Sequence, residues 1–237
     1  AICISMSVKN ELQNWIKNNH INTKKSFTIE KFHLGVEVDN RMASTGSFLN
    51  SKAIINKISS KVTFLIVGTI EPRKSHKEVL DTFEELWKEN IDVNLVIVGK
   101  EGWLVKKLIE RLENHSELNK RLFWLVSVSD EYLGNIYNAS ACLIAASKSE
   151  GFGLPLIEAA QHGLPIIARD IPVFREVAGE HAHFFQNKAN TESLTKSIKE
   201  WLDLYKSNLH IKSNNLSLLS WKDSTENLVK IIKEDNK

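Results

Sequence analysis

From Lys61 onward, short runs of β-branched and other apolar residues alternate with longer amphipathic runs, and few folds accommodate that order. KVTFLIVGT (61–69) is apolar without alternation, as a strand covered by helices on both faces must be. SHKEVLDTFEELWKEN follows with Val79, Leu80, Phe83, Leu86 and Trp87 at helical spacing and Ser75 placed as the N-cap. VNLVIVG (93–99), LFWLV (122–126), ACLIAAS (141–147) and LPIIARD (164–170) read as further strands. Between them come helices from about Trp103 to Asn114, from an Asp130 cap onward, and after the EGFG turn. The expected class is α/β, a doubly wound, Rossmann-like parallel sheet flanked by helices.

The ends of the chain are organised differently. Residues 1–38 contain only one strand, helix, strand unit (AICIS, VKNELQNWIKNN, SFTIEKFHLGV), too little to close a core of its own. Residues 39–60 read as a linker, and 61–237 as the main domain, closed by amphipathic helices at Thr191–Tyr205 and WKDSTENLVKIIKE. The net charge of +2 gives no support to a nucleic-acid partner. It is unevenly spread: residues 1–61 carry 9 basic and 4 acidic groups, or +5, and residues 62–237 carry 22 and 25, or −3. No apolar run approaches the roughly 18 residues that cross a bilayer, so the expectation is a cytoplasmic protein. Cys3 and Cys142 both sit in apolar stretches, where buried reduced thiols are expected rather than a disulfide or metal ligands.

An open parallel sheet binds ligands beyond the carboxyl ends of its strands, so the loops after the strands carry the chemistry. GTIEPRKSH places Arg73 and Lys74 directly before a helix, where both cations can face phosphate oxygens; a solvated basic turn is the plainer reading of that pair alone. SEGFGLPLIEAA supplies a second half-site. Gly151 and Gly153 admit a close backbone approach, Pro155 suits the helix start, Gly163 suits the helix end, and free amides there favour an anion. Glu150 can be read as a helix-start acid that complements the dipole. Glu158 cannot be read that way, because it follows LPLI in an apolar setting where a carboxylate without a partner is costly; a ribose hydroxyl pair would remove the cost. VSVSDEYL offers Ser127 and Ser129 as small residues beside a nucleobase, or simply an N-cap turn.

GTIEPRK, then VSDEYL before a helix, then SKSEGFGLPLIEAA with two glutamates in one block resembles the retaining, nucleotide-sugar-dependent glycosyltransferases of family 4, across essentially the whole chain. The resemblance implies one half of a GT-B fold, the C-terminal donor-binding half, with residues 1–38 as a remnant of an N-terminal acceptor domain. It implies that Gly68, Thr69, Arg73 and Lys74 face the donor diphosphate. Glu150 and the backbone of Gly151, Phe152, Gly153 and Leu154 would hold the sugar and distal phosphate, Glu158 the ribose, and Ser127 the base region. Glu150, Arg73 and Lys74 are then the catalytic candidates, with no protein nucleophile assigned. By resemblance only, the form GTIEPRK implies a GDP-mannose-type donor and surface polysaccharide or lipopolysaccharide synthesis. Two departures stand out: Thr69 occupies a place where many relatives have arginine, and most of an acceptor domain is absent from the sequence, as expected of a fragment.

With no Asp-x-Asp motif, no metal and no other cofactor is expected. His181 and His183 in HAHFF read as structural or surface histidines. A glycan or lipid-linked acceptor is implied by the resemblance, and with it a peripheral association at the inner face of the membrane; a solvated linker is the simpler account of the basic excess in residues 1–61. Competing readings are a non-catalytic nucleotide-binding module and a glycan phosphorylase or synthase-like relative. A dinucleotide oxidoreductase is disfavoured because VGTIEPRK replaces a Gly-x-Gly-x-x-Gly turn.

Overall fold

A computed structural model describes residues 1–24, 26–36, 51–188 and 190–234. In chain order it contains β1 (Ile2–Cys3), α1 (Met6–Asn18), β2 (Glu30–Lys31), α2 (Ser51–Ser59), β3 (Thr63–Val67), α3 (His76–Lys88), β4 (Asn94–Val98), α4 (Lys106–Glu113) and β5 (Leu122–Leu125). There follow α5 (Asp130–Ala139), β6 (Cys142–Ala145), α6 (Leu154–Gln161), β7 (Ile166–Arg169), α7 (Pro172–Ala178), β8 (His183–Phe185), α8 (Glu192–Lys206) and α9 (Trp221–Glu234).

Six of the strands form one parallel sheet in the order β5-β4-β3-β6-β7-β8. The chain starts in the middle at β3, winds outward through β4 and β5, then returns past β3 and winds the other way through β6, β7 and β8. The doubly wound expectation is therefore met, and the winding reverses between β3 and β6. Successive strand residues face opposite sides of the sheet, which explains the unbroken apolar runs. Leu65, Val96, Leu143 and Ala145 pack with α5, α6 and α7 residues such as Ile136, Leu156 and Phe174. Phe64, Ile66, Ile97 and Ile144 pack against Phe83, Leu112 and Trp201 of α3, α4 and α8. At the centre of this second layer the Phe64 ring lies 5.5 Å from Phe83 and 5.3 Å from Trp201, both edge-on.

Several local expectations need correction. The stretch 39–60, expected as a linker, includes α2; residues 39–50 lie outside the described residues. The reason is the spacing of Ile54, Ile55 and Ile58, which forms one apolar face and puts Ile58 in the core beside α5. Helix α4 begins three residues later than expected, because Leu104 takes a left-handed φ of 55° that no helix continues through. Ser75 stands before α3, but in a left-handed conformation whose hydroxyl caps nothing. Before α5 the cap is Ser129, which accepts from the Tyr132 amide at 3.2 Å, and Asp130 is only a first-turn acid. The two cysteines are buried and free, as expected.

The amino-terminal unit does not float away from the main sheet. β1 and β2 pair in parallel, Ile2 beside Glu30 and Cys3 beside Lys31, and Val36 bridges to Ser220 ahead of α9. The Met6 and Ser7 amides at the start of α1 both donate to the Glu176 carboxylate of α7, at 2.7 and 2.9 Å. Among the described residues no helix is long and apolar enough to cross a membrane.

Candidate functional site

The reversal between β3 and β6 leaves the loops after these two neighbouring strands facing each other, and they carry Arg73–Lys74 and Glu150 respectively. The three side chains meet. Lys74 Nζ donates to Glu150 Oε1, and Arg73 donates to Glu150 Oε2 at 3.0 Å and to the Ser149 carbonyl at 3.2 Å. The Ser147 hydroxyl adds a 2.8 Å bond to the same carboxylate, and the Lys148 amide donates to the Arg73 carbonyl at 2.8 Å. Burial pushes the Glu150 carboxyl up, but bonds from Lys74, Ser147 and Arg73 outweigh it and hold the group below its ordinary value. Glu150 is therefore an anion with two cationic partners, positioned in advance of any ligand.

Two glycines make this geometry possible. Gly68 ends β3 at φ 137°, and Lys74 lies across its bare Cα, with the side chain 3.6 Å from where a Cβ would stand. Gly153, the residue before α6, has φ 95°, and a Cβ there would come within 2.9 Å of the Phe174 ring. Helix α6 opens at Leu154 with Pro155 second, and the Gly151, Phe152, Gly153 and Leu154 amides have no acceptor among the described residues. Free N–H groups at a helix start are the kind of donors that suit an anion. The loop is fixed from behind: the buried Ser5 hydroxyl donates to the Gly151 carbonyl at 2.7 Å, and the buried Phe152 ring lies 5.3 Å from His33. Gly163 follows α6 in the left-handed region, as expected at a helix end.

Glu158 lies one turn into α6, and its side-chain hydrogen bond is to α5 and not to the cation pair. The Tyr137 hydroxyl of α5 donates to its Oε2 at 2.8 Å, so the carboxylate is not the partnerless group the apolar sequence suggested. Its other oxygen makes no hydrogen bond among the described residues, which leaves one acceptor site for a ligand. Burial raises the carboxyl above its ordinary value against the pull of the Tyr137 bond, and Asp130 adds repulsion. Thr69 is half-buried at the end of β3. Ser127 is exposed after β5, with φ 58° and with β4 between its strand and β3; the structure does not bring it to the cation pair. His183 is in β8 and His181 just before it, and no group of three metal-ligating side chains occurs among the described residues.

The chain has known relatives. Residues 48–217 match the sequence profile described as glycosyl transferases group 1. The chain belongs to the group 1 glycosyl transferases. Within this family it is 48% identical over 231 residues to the serotype-specific mannosyltransferase WbdA of Escherichia coli, covering 97% of this chain and 28% of that protein. It is 28% identical over 151 residues to the O-antigen chain mannosyltransferase RfbU of Salmonella typhimurium, covering 64% of this chain and 41% of that one. The chain thus spans under a third of the length of WbdA. Among solved structures, sucrose-phosphate synthase from Thermosynechococcus elongatus superposes with TM-score 0.76 at 18% identity, over 98% of this chain and 57% of that one. Anabaena HepE in complex with UDP-glucose gives 0.75 at 13% identity, over 98% and 63%. These two likenesses show a shared fold.

Four residues of this group 1 chain take part in the site without having been singled out from sequence. Ser147 had a signal, since it precedes Glu150 by three positions, the spacing at which a hydroxyl and a carboxylate reach each other. Tyr137 and Ser5 had none, because their partners lie 21 and 146 residues away. His76, at the first position of α3, is 1% exposed beneath Lys74, and neither ring nitrogen finds a partner. Burial first, and then the Lys74 charge, lower it to about 4. A neutral ring there adds no third positive charge beside Arg73 and Lys74.

Proposed function

We propose that this chain is the donor-binding half of a retaining mannosyltransferase of surface polysaccharide or lipopolysaccharide assembly, with a GDP-mannose-type nucleotide sugar as donor. The observation that carries the reading is the meeting of Arg73, Lys74 and Glu150 at the switch point, next to the unpaired amides that open α6. The relatives support it: WbdA and RfbU are mannosyltransferases by description, and HepE was crystallised with UDP-glucose.

In this reading the diphosphate enters between the β3 loop and the start of α6. Lys74 and Arg73 turn from Glu150 to phosphate oxygens, and the Gly151–Leu154 amides bind the distal phosphate. Glu150, released from both cations, accepts from hydroxyls of the sugar. Glu158 accepts from a ribose hydroxyl through the oxygen that Tyr137 leaves open. When the bond from the anomeric carbon to the phosphate oxygen breaks, the electron pair stays on that oxygen. Arg73, Lys74 and the helix start stabilise the charge without a divalent ion. A glycan or lipid-linked acceptor would be presented by parts of the protein outside this chain, with peripheral attachment at the inner face of the membrane.

Calorimetric titration with GDP, UDP, ADP and their sugar conjugates, with GMP as a one-phosphate control, tests the donor assignment. The expected result is selective binding of GDP and GDP-mannose, unchanged by EDTA. Lys74→Ala should weaken the diphosphates by about 10- to 100-fold, the worth of one charge-assisted hydrogen bond, and GMP much less. Equal losses for diphosphate and monophosphate would contradict the assigned role of Lys74. The anomeric configuration of the product, read by NMR with the full-length protein, tests retention.

A further inference from the structure

Arg73 is the more exposed of the two cations, at 42% against 15% for Lys74, and a long exposed side chain is not usually held in one place. Here it is held on a second side by a residue with no role in the donor reading. Glu71 Oε1 lies 2.7 Å from Arg73 NH2, and its other oxygen accepts from the Trp103 indole N–H at 2.8 Å. Trp103 is itself 56% exposed, yet its place beside Glu71 is fixed by the main chain. The Ile70 amide donates to the Lys100 carbonyl and the Gly102 amide to the Ile70 carbonyl, both at 2.9 Å, with Ile70 bridging Glu101. The loops after β3 and β4 are therefore tied to each other, and Trp103, Glu71, Arg73, Glu150 and Lys74 form a continuous chain of charge-assisted bonds into the switch-point crevice.

We propose that Glu71 and Trp103 are positioning residues, a brace that holds the Arg73 guanidinium towards the crevice so that it meets the donor diphosphate. The proposal rests on the donor reading above. It makes a prediction opposite to that of simple charge. The four ionised groups Glu71, Arg73, Lys74 and Glu150 sum to zero, so removing Glu71 leaves +1, and electrostatics alone would tighten diphosphate binding. Loss of the brace weakens it, because Arg73 must then be ordered at the moment of binding.

The test is diphosphate and monophosphate titration of Trp103→Phe, Glu71→Gln and Glu71→Ala, each also in an Arg73→Ala background. The brace predicts that Trp103→Phe, which changes no charge, weakens the diphosphate about threefold, and Glu71→Ala about tenfold. Glu71→Gln, which keeps an acceptor, should fall between them, the monophosphate should stay within about twofold throughout, and none of the three should add to Arg73→Ala. Tighter diphosphate binding by Glu71→Ala with no effect of Trp103→Phe, or effects that persist without Arg73, would overturn the proposal. Phenylglyoxal modification, read at Arg73 by peptide mass spectrometry, needs no nucleotide: both Glu71→Ala and Trp103→Phe should speed it several-fold, and unchanged rates would also overturn the brace. If the unsubstituted chain binds no diphosphate, the donor reading fails, while the modification rates still decide the brace.

Discussion

At the scale of single residues, the two glutamates of the EGFG block prove to be opposites. Glu150 is held below its ordinary pKa by three donors, and Glu158 is raised by burial with one donor. A carboxyl raised on folding stabilises the protein only while protonated, so that contribution is lost as pH rises past its folded value. Glu158→Gln, which keeps an acceptor for Tyr137, is therefore expected to raise the melting temperature at pH 7 while weakening nucleoside binding; a lower melting temperature would count against the assignment. His76 behaves in the reverse sense. Its folded value of about 4 lies below the ordinary 6.5, so its contribution is complete above pH 6.5 and is lost as pH falls towards 4, by about 3 kcal/mol. Urea midpoints at pH 6.5 and 4.5 should differ less in His76→Leu than in the unsubstituted chain. Glu150 could be read from sequence as a helix-start acid, but it precedes α6 by four positions and is held by Lys74, Arg73 and Ser147, and no local pattern shows the two cations 76 and 77 residues away. Glu158 was singled out for an incomplete reason, since no sequence pattern could show that Tyr137 faces it.

At the scale of elements, the strands β3 to β7 were legible to within two residues at each end because burial on both faces demands unbroken apolar runs, whereas SFTIEKFHLGV, expected as a strand, holds only the two-residue β2. Helix caps were not, since Ser75 and Asp130 have the right chemistry but the wrong backbone or neighbour. α2 was missed because its three isoleucines follow a polar stretch that reads as linker. The least legible feature is Arg169 at the end of β7, fully buried where an apolar residue would be expected. Its guanidinium donates to the Ala146 carbonyl at 2.8 Å, the Lys188 carbonyl at 3.2 Å and Glu78 Oε2 at 2.7 Å, and stacks 4.8 Å from the Phe185 ring centre. It ties the ends of β6 and β7 to the first turn of α3, directly behind the site. Arg169→Ala should cost about 3–5 kcal/mol in urea unfolding, because a fully buried group that ties Glu78, Ala146 and Lys188 together is lost and Glu78 is left without its ion-pair partner. Adding Glu78→Leu should restore part of that loss, and a simple sum of two penalties would show that the pair is not coupled.

At the scale of the whole molecule, a doubly wound sheet has one place where its loops diverge, and the cation pair and the Glu150 loop occupy it. The doubly wound class was implied by chain alternation, but the order of strands, with its reversal between β3 and β6, emerges only from the pairing. The amino-terminal unit bears on that site from outside the sheet, through Ser5 on the Gly151 carbonyl and Glu176 on the start of α1. Ser5 therefore ties that unit directly to the loop before α6. A crystal structure with the tightest-binding nucleoside diphosphate tests the central claim most directly. The account predicts the diphosphate between the β3 loop and the start of α6, with Lys74 and Arg73 on phosphate oxygens and no longer on Glu150. A diphosphate bound elsewhere, or a Lys74–Glu150 pair left intact beneath it, would contradict it.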